Sequence, residues 1–139
     1  MSKTVKALLS VCALAAAASG VHAQEQVVNL YSARHYSTDE ALYTGFTKAT
    51  GIKINRVDAD DAGILARLKA EGAASPADVI LLVDAARLYK GEVDGLFQPI
   101  KSKVLNDAIP ANLRSNPVAD GGIAWYGLST RARVVVYNK

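Results

Sequence analysis

The apolar run at residues 79–83 constrains the fold of this chain more than any other feature. It reads Val-Ile-Leu-Leu-Val, with no polar residue and no alternation, inside a longer candidate strand at residues 77–83. A strand of this kind needs apolar cover on both faces, and strands of parallel sheets with helices on either side have that cover. We therefore expect residues 77–83 to form a central strand.

Other β-rich runs predict the remaining strands. Residues 27–31 form a short apolar run, and Ile52, Ile54 and Val57 mark a second strand. Residues 101–122 contain two prolines and a Gly-Gly pair, so we expect loop or short helix there. Residues 123–129 and 134–137 are aromatic or β-branched and predict two more strands.

Amphipathic segments separate the first three strands. The first opens with a capping box, Ser37 to Glu40, and ends at Gly51. We expect three of its side chains to face the sheet: Leu42, Phe46 and Ala49. The next helix ends at Gly72 and starts at an aspartate cap, which is either Asp60 or Asp61. Its predicted inner stripe is Ile64, Leu65 and Leu68.

A third, short helix follows the apolar strand. Asp84 is expected to cap it and Leu88 to point inward, while residues 91–99 form a turn that packs Leu96 and Phe97 on the sheet. The order β-α-β-α-β-α predicts a three-layer α/β domain with a mostly parallel sheet and right-handed connections.

Residues 1–23 resemble a secretory signal peptide. Lys3 and Lys6 give the positive start, residues 7–19 are apolar, and Val21-His22-Ala23 is a small-x-small type cleavage site. A membrane anchor is the alternative, but the apolar run is short for a bilayer. Lipid attachment at Cys12 is disfavoured by the bulky preceding residue. We therefore expect residues 24–139 to be the mature domain, with no membrane insertion after cleavage.

Charge and cysteine content narrow the function classes. The chain has 16 basic and 13 acidic residues, and the leader holds two of the basic ones, so the mature segment has 14 against 13 and a net charge of +1. Such a balance does not predict a nucleic-acid partner. Cys12 is the one cysteine and leaves with the leader, so the mature domain has no cysteine. An exported domain without cysteine suits the periplasm of a Gram-negative cell.

The strongest candidate site is the pair His35 and Tyr36, which follows the first strand and precedes a helix. Open α/β sheets bind ligands beyond the carboxyl ends of their strands. The free amides of a helix amino terminus favour nearby anionic groups. The phenol of an isolated tyrosine is neutral at pH 7, but a bound cation would remove its proton. A phenolate oxygen is a hard donor that suits a hard cation such as Fe³⁺.

Several segments carry a resemblance to a known family. They are residues 29–36, 46–52, 75–79, 83–88 and 127–139, and the specific ones contain Arg34-His35-Tyr36 and Arg131-Ala132-Arg133-Val134. In this order they resemble the periplasmic ferric-iron-binding proteins, the substrate-binding components of iron ABC importers. The resemblance implies the amino-terminal lobe of a type II periplasmic-binding-protein fold.

The resemblance also implies roles for residues and partners. His35 and Tyr36 would be two iron ligands, and further tyrosines would come from a second lobe across a cleft. Arg131 would approach the site and meet a ligand oxygen or a synergistic anion such as carbonate. The cargo would be Fe³⁺ and the partner an inner-membrane ABC permease. Alternatively, Arg131 and Arg133 are a pair of charges on a strand edge.

Structural roles, and not ligand binding, are expected for most of the other polar residues near the site. Arg34 is predicted to be exposed to solvent, and packing is expected for Tyr31, Tyr43, Tyr89 and Tyr126. Helix capping explains Asp60 and Asp61 better than calcium does. Asp84 could instead line the cleft.

Three functions stay open at this stage. The chain stops after the strand that leads to the second lobe in the family, so we expect a truncated lobe. The first function is ferric iron capture, and the second is capture of another small solute or oxyanion. The third is a non-transporting remnant or interaction module. An enzyme is not expected, because the sequence has no phosphate-binding loop, nucleophile elbow or His/Glu zinc pattern.

Overall fold

A three-stranded parallel sheet forms the centre of the chain. The structure is a computed structural model that describes residues 26–131 and residue 136. The strands are β1 (Val27–Ser32), β2 (Lys53–Asp58) and β3 (Val79–Leu81), in the order β2-β1-β3. β1 pairs with β2 along its whole length, and its second half pairs with β3. The predicted α/β fold with a parallel sheet is confirmed.

Among the described residues the third strand lies at an edge of the sheet and not at its centre. β1 lies in the middle, β3 pairs on one side only, and Val79 is exposed. The apolar run continues beyond the end of β3, and its residue Leu82 is buried in the core that faces the helix. An apolar run predicts burial but does not specify whether strand or helix provides the cover.

Helices follow each strand, as the sequence predicts. The four helices of the described residues are α1 (Asp39–Thr50), α2 (Asp61–Glu71), α3 (Ala85–Val93) and α4 (Lys103–Ala108), with short 3₁₀ turns at Gly72–Ala74 and Ala111–Leu113. Short helix between residues 101 and 122 is therefore confirmed. No helix of the described residues is long and apolar enough to cross a membrane.

Caps and glycines define the helix ends. The Asp60 carboxylate accepts a 2.6 Å hydrogen bond from the Gly63 amide, which identifies Asp60 as the cap of α2. Asp84 caps α3 in the same way, through a 2.9 Å bond from the Arg87 amide. Gly51, with a φ of 74°, ends α1 in the left-handed region that favours glycine.

The hydrophobic core lies between α2 and one face of the sheet. Three α2 side chains are buried against the sheet, as predicted: Ile64, Leu65 and Leu68. They share one cluster with Tyr31, Ala33 and Leu82. Leu88, Leu96 and Phe97 pack against its edge, which confirms their predicted inward positions. This core anchors the carboxyl end of β1, where the candidate site lies.

Helix α1 departs from the prediction at its start and in its orientation. Thr38 is the cap residue and forms no side-chain capping bond, so the predicted capping box is wrong. Glu40 instead accepts a 2.6 Å hydrogen bond from Arg56 of β2. The predicted inner face is also wrong, since Leu42 is 60% exposed and the half-buried side chains are Tyr43 and Thr47. The helix therefore leaves its apolar stripe largely exposed among the described residues.

The predicted strand at residues 123–129 is wrong. This segment forms only two isolated antiparallel bridges, Ile123 with Ile100 and Tyr126 with Arg114. Its partners are irregular loop segments, so hydrogen bonding does not continue along the chain. The predicted strand at residues 134–137 and the predicted signal peptide lie outside the described residues, apart from residue 136.

Candidate metal centre

The carboxyl ends of the three strands open into one crevice of about 800 Å³. The loop after β1, the start of α2 and Val83 after β3 all line it. Two hydrogen bonds hold these segments together: the Ala33 amide donates to Leu81 (2.8 Å), and the Val83 amide donates to the Asp61 carboxylate (3.0 Å). Because β1 is flanked by both of the later strands, the crevice lies at a point where the strand order reverses, the usual ligand position in open α/β sheets.

His35 and Tyr36 lie side by side in the loop that leaves β1. Their rings are stacked, with centroids 5.0 Å apart and planes at 27°. Both side chains are exposed to the crevice, and Tyr36 is 38% accessible. The Tyr36 carbonyl accepts a hydrogen bond from the Asp39 amide at 3.0 Å, which joins this loop to the start of α1. An imidazole nitrogen and a phenol oxygen are thus available at one place.

Arg131 reaches the same place from the other end of the described chain. Its Nη1 donates a 2.9 Å hydrogen bond to the Tyr36 hydroxyl oxygen. The structure therefore brings together the three site residues that the sequence predicts: His35, Tyr36 and Arg131. Arg131 lies outside any described strand, and Arg133 lies outside the described residues, so the alternative of a strand-edge pair stays untested.

Arg34 is not the solvent-exposed side chain that the sequence predicts. It donates two hydrogen bonds to the Asp39 carboxylate, from Nε at 2.7 Å and from Nη2 at 3.0 Å. The two side chains are 20% and 13% exposed. The bond lowers the pKa of Asp39 and raises the pKa of Arg34. The guanidinium carbon of Arg34 also lies 5.2 Å from the centre of the Tyr36 ring.

Asp39 is the residue near the site that sequence reasoning missed. A signal was present, because Arg34 and Asp39 have opposite charges on either side of a loop that leads into a helix. The helix dipole already accounts for an acidic residue in the first turn of a helix. The sequence therefore gives no specific reason to pair Asp39 with Arg34. The partner became visible only through the path of the loop.

A second arginine on the crevice wall is also paired. Arg56 donates to Glu40 at 2.6 Å and to Asp58 at 2.9 Å, and its guanidinium carbon lies 5.3 Å from the centre of the Tyr43 ring. The Tyr43 hydroxyl is buried and has no hydrogen-bond partner among the described residues. These contacts hold α1 against β2 and so fix one wall of the crevice.

The remaining tyrosines have mixed surroundings. Tyr31 is buried, and its hydroxyl donates to the Glu71 carboxylate at 2.9 Å. Burial, followed by this bond, raises the pKa of the Tyr31 hydroxyl. Tyr126 is half-buried and donates to Asn106 at 3.0 Å. Tyr89 is exposed on α3, so the prediction of packing is wrong there.

Few side chains at the crevice are available as donors for a metal ion. No group of three or more His, Cys, Asp or Glu side chains within residues 26–131 is arranged to hold a metal ion. The carboxylates of the crevice already have structural partners: Asp58 binds Arg56, Asp60 caps α2 and Asp61 accepts from Val83. Asp84 caps α3. The exposed imidazole and phenol are left as hard or borderline donors for a cation.

A parallel α/β sheet with a ligand crevice at its carboxyl edge is the architecture of one lobe of a type II periplasmic solute-binding protein. No protein-family model matches the chain. Among curated proteins, it is 51% identical over 116 residues to iron uptake protein A1 of Synechocystis sp., covering 84% of the chain and 31% of that protein. It is 32% identical over 134 residues to the Fe(3+)-binding periplasmic protein of Serratia marcescens, covering 96% of the chain and 38% of that protein.

Solved structures give the same picture. A Trichodesmium protein in complex with iron and citrate matches with a TM-score of 0.61 and 54% identity, over 64% of the chain and 28% of that structure. Apo FutA2 from Synechocystis matches with a TM-score of 0.62 and 44% identity, over 75% and 30%. The chain is therefore similar to part of several iron-uptake and ferric-iron-binding proteins, and it spans about a third of the length of these relatives.

Proposed function

We propose that the chain supplies part of a ferric-iron capture site for a periplasmic ABC import system, with His35 and Tyr36 as two of the ligands. One observation carries the proposal: an exposed imidazole and an exposed phenol lie together at the crevice, with the Arg131 guanidinium 2.9 Å from the phenol oxygen. Homology to proteins named for iron uptake and Fe(3+) binding supports the choice of metal.

The proposed chemistry is binding without bond rearrangement in a substrate. Tyr36 would give up its proton and bind Fe³⁺ as a phenolate, and His35 would contribute a neutral nitrogen. Arg131 would hold the phenolate oxygen or a synergistic anion such as carbonate. Two donors do not fill an octahedral shell, so further donors would come from outside the described residues or from an anion. In this proposal the chain is a carrier component and not an enzyme.

The proposal includes a location and a partner. Residues 1–23 would direct export and be removed, and residues 24–139 would form an amino-terminal lobe in the periplasm. An inner-membrane ABC permease would receive the iron-loaded protein. The Serratia marcescens relative is named as a periplasmic protein, which supports this location.

The test is the colour of the iron complex. The chain from Gln24 onward would be titrated with ferric nitrilotriacetate while the visible spectrum is recorded. We expect a tyrosinate-to-iron charge-transfer band in the unmodified chain and none in Tyr36→Phe. Tyr89→Phe is the matched control, because Tyr89 is an exposed tyrosine that does not line the crevice. A band that survives in Tyr36→Phe would contradict the assignment.

A citrate wash tests the incomplete ligand set. With two protein donors we expect citrate to remove the iron, because each missing ligand removes a strong metal bond. Retention of iron through the wash would show that the chain supplies more donors than His35 and Tyr36.

One observation favours a second candidate, which is capture of a small oxyanion. Arg131 and the Tyr36 hydroxyl together could donate hydrogen bonds to an anionic oxygen at the crevice. A colourless protein whose Trp125 fluorescence responds to citrate alone would support this candidate over iron.

A further inference from the structure

The Tyr36 ring contacts one residue, Arg34, that has no part in the proposed ligand set. The Arg34 guanidinium carbon lies 5.2 Å from the ring centre, within the range of a cation–π contact. Arg34 is in turn fixed by two hydrogen bonds to Asp39, in the first turn of α1. The loop that carries the tyrosine is thereby tied to a helix.

Three contacts together define the orientation of Tyr36. Arg34 and the stacked His35 ring restrict the ring, and Arg131 restricts the direction of the hydroxyl. Tyr36 lies outside the hydrophobic core cluster and is 38% exposed. Without these contacts an exposed tyrosine would sample several rotamers.

Arg34 cannot use the same edge of its guanidinium for an incoming anion. Nε and Nη2 form the edge that suits a carboxylate, and both already donate to Asp39. Arg34 is also mostly buried, whereas Arg131 is exposed. Of these two arginines beside Tyr36, Arg131 is therefore the one open to a ligand, and Arg34 has a supporting position.

We propose that Arg34, held by Asp39, is a positioning residue for metal binding at Tyr36. The inference rests on the proposed iron-binding function. Arg34 keeps the phenol in the orientation that binds the metal, so less conformational freedom is lost when the ion arrives. Residues that orient metal ligands typically change metal affinity by about 10- to 100-fold when they are replaced.

The two kinds of contact at this position suit arginine better than lysine. A planar guanidinium can accept a ring on its face while its edge donates two parallel hydrogen bonds to a carboxylate. Lysine keeps the charge but offers a point-like ammonium without that plane. Arg34→Lys therefore separates orientation from net charge.

The chain contains a matched control. Arg67 on α2 lies 4.8 Å from the centre of the Tyr31 ring and donates a 2.6 Å hydrogen bond to Glu71. It repeats the arginine, carboxylate and tyrosine combination away from the crevice. Arg67→Lys changes the same kind of contact without touching the proposed site.

The experiment compares Arg34→Lys, Arg67→Lys and the unmodified chain in the ferric nitrilotriacetate titration. We expect Arg34→Lys to weaken iron binding by about tenfold and to shift the maximum of the charge-transfer band. Arg67→Lys should leave both unchanged. Urea midpoints and circular dichroism report on folding. If Arg34→Lys does not fold, Asp39→Asn, which keeps Arg34 and weakens its anchor, should show the same band shift.

The outcomes separate this inference from the proposed function. A band that Tyr36→Phe removes but that is identical in Arg34→Lys, in affinity and position, overturns the positioning role and leaves iron binding intact. Equal losses in Arg34→Lys and Arg67→Lys would reduce the effect to general stability and also overturn it. Absence of a band in the unmodified chain overturns the proposed function and this inference with it.

Discussion

The ion pair between Arg34 and Asp39 should contribute measurably to the stability of the fold. The perturbation is Asp39→Asn, which keeps the size of the side chain and removes its charge. The asparagine oxygen can accept one of the two present hydrogen bonds, but its amide group meets a second donor of Arg34. The guanidinium then stays charged and mostly buried with one good acceptor fewer.

The expected magnitude follows from the exposure of the pair. Hydrogen bonds to charged groups contribute about 1.5–3 kcal/mol each when they are shielded from water. Arg34 and Asp39 are 20% and 13% exposed, so solvent weakens the pair only in part. The negative charge also lies in the first turn of α1, where the helix dipole favours it. We expect Asp39→Asn to lower the free energy of unfolding by about 2 kcal/mol at pH 7.

The effect should depend on pH in a defined direction. Arg34 lowers the pKa of Asp39 in the folded chain, so the unfolded chain binds this proton more readily. The stabilisation is therefore complete above the ordinary carboxyl pKa and is lost as the pH falls through the lowered value. The difference between the unmodified chain and Asp39→Asn should be constant from about pH 5 to pH 8 and shrink below about pH 4.

The assay is urea unfolding followed by circular dichroism and by the fluorescence of Trp125, the one tryptophan of the chain. Asp107→Asn is the matched control, because Asp107 pairs with Lys103 on α4 and the two side chains are 64% and 87% exposed. Its midpoint should stay within error of the unmodified chain, as exposed pairs contribute little. Equal losses at both sites, or an Asp39→Asn difference that is unchanged at pH 3, would refute the reasoning.

Two further predictions concern packing. A Cβ at Gly91 would lie 2.3 Å from Phe97 Cζ, whereas nothing lies within 4 Å of one at Gly45. Gly91→Ala should therefore destabilise the chain by about 1 kcal/mol net, because crowding outweighs the gain in helix propensity. Gly45→Ala should stabilise the chain by about the same amount through helix propensity. Urea midpoints that move in the same direction for both variants would contradict this. Ile64→Ala should cost about 2–5 kcal/mol, since Ile64 is fully buried in the core. Leu42→Ala, at an exposed position of α1, should cost far less, and comparable losses in thermal unfolding would be inconsistent with the described core.

Local signals in the sequence predict the element order and most helix ends. Asp84 caps the helix that it is predicted to cap, and Gly51 ends α1 as expected. The buried stripe of α2 also follows from its spacing alone. Helix caps and helix ends depend on hydrogen bonds between residues within about one turn of the chain, so a short stretch of sequence is enough to predict them.

Other expectations failed where a distant partner decides the outcome. Helix α1 exposes its apolar Leu42, while its Glu40 pairs with Arg56 of β2. Arg34 is mostly covered because the loop returns it to Asp39. Residues 123–129 have no continuous neighbouring strand within the described part of the chain and form two bridges instead of a strand. Local periodicity in the sequence does not predict contacts of this kind.

The sequence by itself determined that a histidine and a tyrosine follow the first strand, and the resemblance named them as candidate iron ligands. Only the tertiary structure decided how they are oriented. The parallel pairing brings three loops to one edge, Arg131 reaches the Tyr36 oxygen from 95 residues away, and Arg34 supports its ring. The physical reason is that residue type fixes the chemistry of a donor, whereas its direction depends on contacts that exist only once the chain has folded.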